Sequence, residues 1–251
     1  MAEKETTTET DPVPFSNLFS TIQCVRINST TRISDLIEEG SMVCNQLRGM
    51  VRKAEIVKRE YLTNGAVELT LAFDMTGGFA QLALPSDIQP VPQIRTLKAP
   101  DEQPALDQSD GDDDAENEGE TFTGLVLDAR GLSAKPCMSP RIICESGEEV
   151  YGAAYVSREF AVQKGMALYT RDLDAAKENQ RIGKTPLLVR ALRTCGPGRC
   201  NFVISNADAA KIQGASNHLE FLKECKVAIV IDEEPVKTSM KATLIVLEDL
   251  S

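Results

Sequence analysis

Residues 101–120, DEQPALDQSDGDDDAENEGE, hold ten acids and no base. A helix or strand that buries one face cannot run through such a segment. Mutual repulsion and the shortage of apolar side chains keep it extended and solvated. Together with the proline-bearing stretch before it, the run predicts a disordered linker over 86–121 and forces the chain to bury its apolar residues in two places, one on each side. Removing the ten acids from the 38 Asp and Glu leaves 28 against 27 Lys and Arg, so nearly all of the formal charge of −11 belongs to the linker. Flanking parts this close to neutral do not suit a nucleic-acid backbone or an anionic membrane surface as the main partner. The absence of Trp removes the best base-stacking side chain.

No run of 18 apolar residues occurs, so no transmembrane segment is expected. The opening MAEKETTTETDPVP has neither a basic nor an apolar region of the kind a signal peptide needs. It reads as a disordered tail over 1–13, at the head of a cytoplasmic protein or of a trimmed or mature form of an exported one. The expected organisation is then a first α+β domain over 14–85, the linker over 86–121, and a second α+β domain over 122–251.

In the first domain, FSNLFSTIQ puts Phe15, Leu18, Phe19 and Ile22 at helical spacing, and SMVCNQLRGM does the same with Met42, Val43, Leu47 and Met50. AEIVKREYLTNGAVELTLAFD reads as a hairpin about Asn64-Gly65, with Val67, Leu69, Leu71 and Phe73 facing a core and Glu68, Thr70 and Asp74 facing water. In the second domain, TGLVLDARG predicts a strand and turn, and PRIICESGEEVYG a hairpin at Ser146-Gly147. SREFAVQKG predicts a helix capped by Ser157 and stopped by Gly165, and TRDLDAAKEN a helix with early acids. PLLVRALRT and CNFVISN predict strands joined by a tight loop, and Asn206 is expected to cap the helix that follows. NHLEFLKEC opens with Asn217 and Glu220 in capping-box spacing. KVAIVID predicts a central buried strand, and MKATLIVLEDL an edge strand or a loosely docked tail. Strands mostly in hairpins point to α+β rather than a doubly wound sheet.

The segment VRINSTTRISDLIEEGSMVCNQLRGMVRKAEIVKREYLTNGAVELTLAFDMTGGFAQLALP resembles the LPP20-type lipoprotein domain, a relative of the N-terminal region of T-type flagellar assembly proteins. The resemblance rests on Asn17-Leu18, Val25-Arg26-Ile27, Gly49-Met50-Val51, Ala54-Glu55-Ile56-Val57, Asn64-Gly65 and Val67-Glu68-Leu69-Thr70 in that order. TGLVLDARGLSAKPCMSPRIICESGEEVYG is similar to the companion domain found downstream in such proteins. The resemblance implies a bacterial periplasmic or outer-membrane-associated structural or assembly protein. It implies partners that are other envelope proteins or further copies of itself, with no catalytic residue and no cofactor. The alanine- and arginine-rich helix that leads into the domain in relatives is replaced here by the threonine-glutamate tail.

The residues that invite chemistry are few. Gly183-Lys184-Thr185 suggests a phosphate loop, but the position that needs the first glycine is Glu178, and Pro186 follows at once. His218 is the only histidine. Asp128 and Arg130 in DARG read as a local ion pair in a turn. The seven cysteines include no CxxC. Cys195 and Cys200 bracket Gly-Pro-Gly-Arg, a common hairpin-loop length. Three readings stand for this pair: a disulfide in an oxidising compartment, reduced bystanders, or a thiol or metal site in a cytoplasmic protein. No small-molecule substrate is evident. The expected function is non-catalytic, exercised through the exposed edge of the 54–74 hairpin and the terminal strand near 240–248.

Overall fold

The structure is a computed structural model that describes residues 13–39, 41–63, 66–86, 88, 122–214, 216–232 and 242–247. The N-terminal tail, nearly all of the linker and the Asn64-Gly65 turn lie outside the described residues. Before the linker come α1 (Val13–Gln23), α2 (Ile33–Glu39), α3 (Ser41–Val51), β1 (Glu55–Tyr61), β2 (Ala66–Ala72) and α4 (Gly77–Ala83). After it come β3 (Gly124–Asp128), β4 (Arg141–Cys144), β5 (Glu149–Tyr151), α5 (Arg158–Lys164), β6 (Leu168–Thr170), α6 (Leu173–Lys177), β7 (Pro186–Arg190), β8 (Arg193–Cys195), β9 (Asn201–Ile204), α7 (Asn206–Gln213), α8 (Ser216–Lys223), β10 (Val227–Val230) and β11 (Ala242–Leu247). The class is α+β.

The first unit sets helices on one face of a three-stranded antiparallel sheet, order β1-β2-β11. Leu18 and Ile22 of α1 and Leu47 of α3 bury completely, where their helical spacing places them, and meet Leu71 and Phe73. Phe73 and Phe79 pack edge to face at 5.2 Å. The glycine-led segment after Thr76 forms the helix α4. One expectation changes here: Thr70, expected on the wet face, is buried, because β2 has a strand on either side. The strand on its far side is β11, with Thr243 opposite Thr70 and Leu247 opposite Ala66. The terminal strand, grouped by sequence with the second half, thus lies in the sheet of the first.

The second unit holds two four-stranded sheets around one core. One, order β6-β10-β3-β7, is wholly parallel. The hairpin expectation fails for it, because GLVLD and VAIV are apolar runs that bury on both faces, as parallel strands do, while PLLVR lies at the sheet edge with Leu188 exposed. Leu125, Leu127, Val227 and Ile229 face the main core, and Val126, Ala228 and Val230 face a smaller cluster with Ala176 and Ile182. The other sheet, order β5-β4-β9-β8, is mixed and closes the main core with Ile142, Phe202 and Ile204. The chain passes between sheets right after β7: the Ala191 N–H donates to the Asp128 carbonyl at 2.9 Å and the next N–H, Leu192, to the Val203 carbonyl at 2.8 Å.

Helix ends in this unit differ in how they are satisfied. Asp172 caps α6, its Oδ1 accepting from the N–H groups of Asp174 at 2.9 Å and Ala175 at 3.3 Å. Ser157 sits at the N-cap of α5 but makes no side-chain cap bond, while Gly165 ends that helix at φ 75°. The cap of α7 is Ser205, which accepts from the Asp208 N–H at 3.0 Å. Asn206, expected in that role, instead accepts from the Ser146 N–H at 3.1 Å and ties α7 to the β4–β5 turn. Asp172→Ala should cost about 1 kcal/mol in urea unfolding, whereas Ser157→Ala should leave the midpoint within experimental error.

The two units touch. Short α4 serves both cores, with Phe79 and Ala83 in the first and Ala80 and Leu84 in the second. Arg158 of α5 reaches across and donates to the carbonyls of Pro85 at 2.8 Å and Gln81 at 3.0 Å.

Candidate functional site

The sequence TCGPGRC forms the turn between β8 and β9. Gly196 takes φ 77°, Arg199 takes φ 53°, and the Arg199 N–H donates back to the Gly196 carbonyl at 3.3 Å. The register pairs Cys195 with Asn201, not with Cys200. Side chains alternate along a strand, so Cys200 points to the face opposite the one that Cys195 and Asn201 share. Cys200 is fully buried, Cys195 is half-buried, and both thiols are free. The disulfide reading of this pair needs the loop to hold only its four bracketed residues. The ladder closes one residue later.

The turn's glycines answer to the first unit. A Cβ on Gly198 would sit 2.7 Å from both Cα and the carbonyl oxygen of Ser29, and one on Gly196 would sit 3.1 Å from the Ser29 side chain. Gly-Pro-Gly is therefore a docking turn, seated on the loop that follows α1. Asn201, at its base, is buried with its Oδ1 unpaired.

Lys135–Ser139 forms a strap beside this turn. The Lys135 N–H donates to the Arg199 carbonyl at 3.0 Å, and the N–H groups of Met138 and Ser139 donate to the carbonyls of Arg26 at 3.0 Å and Ile27 at 2.7 Å. The strap puts Cys137 against Cys200. Cys137 Sγ lies 3.9 Å from the Cys200 carbonyl oxygen. Burial, together with the neighbouring Cys200 thiol, pushes the Cys137 thiol well up. Cys200 is drawn down by the Cys137 thiol beside it and by the charge of Arg26. Tyr169 closes the group: its hydroxyl oxygen accepts from the Cys137 N–H at 3.2 Å, and burial pushes the phenol pKa well up. Cys137 and Tyr169 line a cleft of about 370 Å³ between the units, walled further by Arg26, Met75, Met138 and Met166. A hollow of about 620 Å³ near Lys53, Phe73 and Gly78 lies within the first unit, away from the thiols.

The second unit builds both of its sheets from its own strands. Its parallel sheet opens with Gly124 and ends on β10, and its mixed sheet lies between those strands in sequence. Residues 124–233 match the family model for the second domain of Treponema pallidum Tp0624. No curated protein matches the chain. The match starts on the first residue of β3 and stops just beyond β10, so β11 falls outside the Tp0624-like segment, in agreement with its place in the first unit's sheet.

Most sequence candidates fall inside the Tp0624-like segment, and the structure disperses them. Arg130 donates to both Asp128 oxygens at 2.8 Å, and that bond holds the Asp128 carboxyl below its usual range. The pair is a salt bridge in the turn after β3. The neighbouring Gly131 N–H donates to Asp232 Oδ2 at 2.7 Å. Gly183 takes φ 93° and a Cβ there would meet Thr123, while Lys184 and Thr185 lead into a strand, β7, instead of the helix that a phosphate loop needs. His218 lies in α8, far along the chain from these residues. Among the described residues no three His, Cys, Asp or Glu converge as metal ligands.

Sequence reading passed over Arg181. Its Nε donates to the Cys225 carbonyl at 2.8 Å, Nη1 to Lys164 at 2.6 Å and Nη2 to Gly165 at 2.5 Å. One guanidinium thus satisfies carbonyls at the ends of α5 and α8, where the helix dipole favours a cation. Burial lowers the Arg181 pKa from its ordinary value, and burial raises that of the Cys225 thiol to about 11. The signal was faint: an arginine at the head of RIGKTP looks like surface decoration.

Proposed function

We propose that this chain is a non-catalytic structural or assembly protein of the bacterial cell envelope, of the LPP20 kind. It works in the periplasm or at the outer membrane, through contacts with other envelope proteins. The observation that carries the reading is β1. It is an edge strand of its sheet, exposed at every residue, with Ile56 at 43%, Val57 at 48% and Tyr61 at 75% exposure. A long exposed edge with apolar side chains is a liability unless something pairs with it. Addition of a partner strand satisfies both the backbone and those side chains. The other edge once considered for docking, the terminal strand, is occupied on one side by β2. The motif order in residues 15–85 supports the envelope setting, and the Tp0624-like segment supports a bacterial protein of more than one domain.

A photo-crosslinker placed at Val57 or Tyr61 in native cells tests this. Adducts to an envelope protein are expected. Proline scanning along β1 should abolish them at those positions where the N–H points away from β2, with circular dichroism unchanged. Cells that yield only soluble-fraction protein and no adduct at either position would overturn the reading. Adducts to a second copy of the chain would keep the edge and change the partner.

A further inference from the structure

Disulfide geometry needs two Cα atoms within about 7 Å and side chains turned toward each other. Cys195 and Cys200 fail the second condition, since the ladder puts them on opposite faces. Cys137 and Cys200 are the better-placed pair. The strap and the turn run side by side, held by the Lys135 N–H to the Arg199 carbonyl at 3.0 Å, and Cys137 Sγ reaches to 3.9 Å from the Cys200 carbonyl oxygen. The two are 63 residues apart in sequence, which is why no spacing motif announces them. We propose that Cys137 and Cys200 are the disulfide-forming pair of this protein, oxidised by exchange with a small peptide disulfide that enters through the cleft between the units.

The steps balance as a two-electron exchange. Cys137, 7% exposed and lining the cleft, is the sulfur that a reagent meets first. It gives its proton to solvent and attacks one sulfur of the reagent, whose other half leaves as a thiolate. Cys200, fully buried behind it, then attacks Cys137 Sγ as a thiolate and expels the second half of the reagent. Two protein thiols become one disulfide, and one reagent disulfide becomes two thiols. The Cys200 thiol is the more readily ionised of the two, which suits it to the second step, and the raised Cys137 thiol makes the first step slow. The site is independent of the envelope reading, since the oxidant belongs to the reaction and not to a compartment.

The test uses the full chain with oxidised glutathione, then alkylation and peptide mapping without reduction. Trypsin cuts after Arg199, so Cys195 and Cys200 fall on separate peptides. Expected is a linked pair of peptides carrying Cys137 and Cys200, with the other five cysteines alkylated. Cys195→Ser should change nothing. Cys200→Ala should stop the reaction at the intermediate, with glutathione on Cys137, even if that variant is less stable. A Cys195–Cys200 link, or Cys137 and Cys200 both still alkylatable after oxidation, would overturn the proposal.

Discussion

Arg181→Ala should destabilise the protein by about 3–5 kcal/mol. Three carbonyl oxygens, on Lys164, Gly165 and Cys225, lose their donor together. An unpaired buried acceptor costs about 1–3 kcal/mol, and water entering the vacated space offsets part of the total. The Cys225 backbone adds to the sensitivity, since it holds φ 59° and has little freedom to turn its carbonyl elsewhere. Arg181→Lys should recover less than half of the loss, because an ammonium presents no planar fork to three acceptors on different segments. Urea unfolding monitored by circular dichroism reads both values. A midpoint shift worth less than about 1 kcal/mol in the alanine variant would mean that the helix ends find solvent without cost, and that the three-way bond is incidental.

Gly198→Val is the second large effect expected, at about 2–3 kcal/mol, the upper part of the range for forcing atoms into a filled space. The atoms in the way are Cα and the carbonyl of Ser29, which are backbone and cannot rotate aside. The turn must lift from the loop. That loop continues from Arg26 and Ile27, whose carbonyls hold the strap through Met138 and Ser139. The amides of Met138 and Ser139 should therefore exchange hydrogen faster in the variant, while those of β3 and β10 keep their protection. Equal acceleration everywhere would make the effect one of global stability, and the turn would have no special hold on the junction between units.

Local patterns told much of the fold, and long-range placement told the rest. KVAIVID announced a buried strand because five apolar residues in a row fit two covered faces, and β10 sits second from the edge of a four-stranded parallel sheet. The helices over FSNLFSTIQ and REFAVQK followed from spacing and end residues. What sequence could not show was partnership. GLVLD, PLLVR and VAIV give no sign that they lie side by side in parallel, because their hydrogen bonds cross tens of residues. The thiol site failed for the same reason. Cys195 and Cys200 drew attention by closeness in the chain, but strand alternation separates them, while Cys137 reaches Cys200 from a strap whose partners are all remote. Arg181 was illegible too, since its role depends on where two distant helices happen to stop.

The place of β11 has a consequence for how the chain is made. On the ribosome, every residue of the Tp0624-like segment emerges before the third strand of the first sheet does. That segment can complete both of its sheets while the first unit still lacks a strand, and β2 gains its second neighbour only after residues 242–247 have emerged. During that interval Ala66–Leu71 is a bare edge, so a late-made strand is the part that seals an early one.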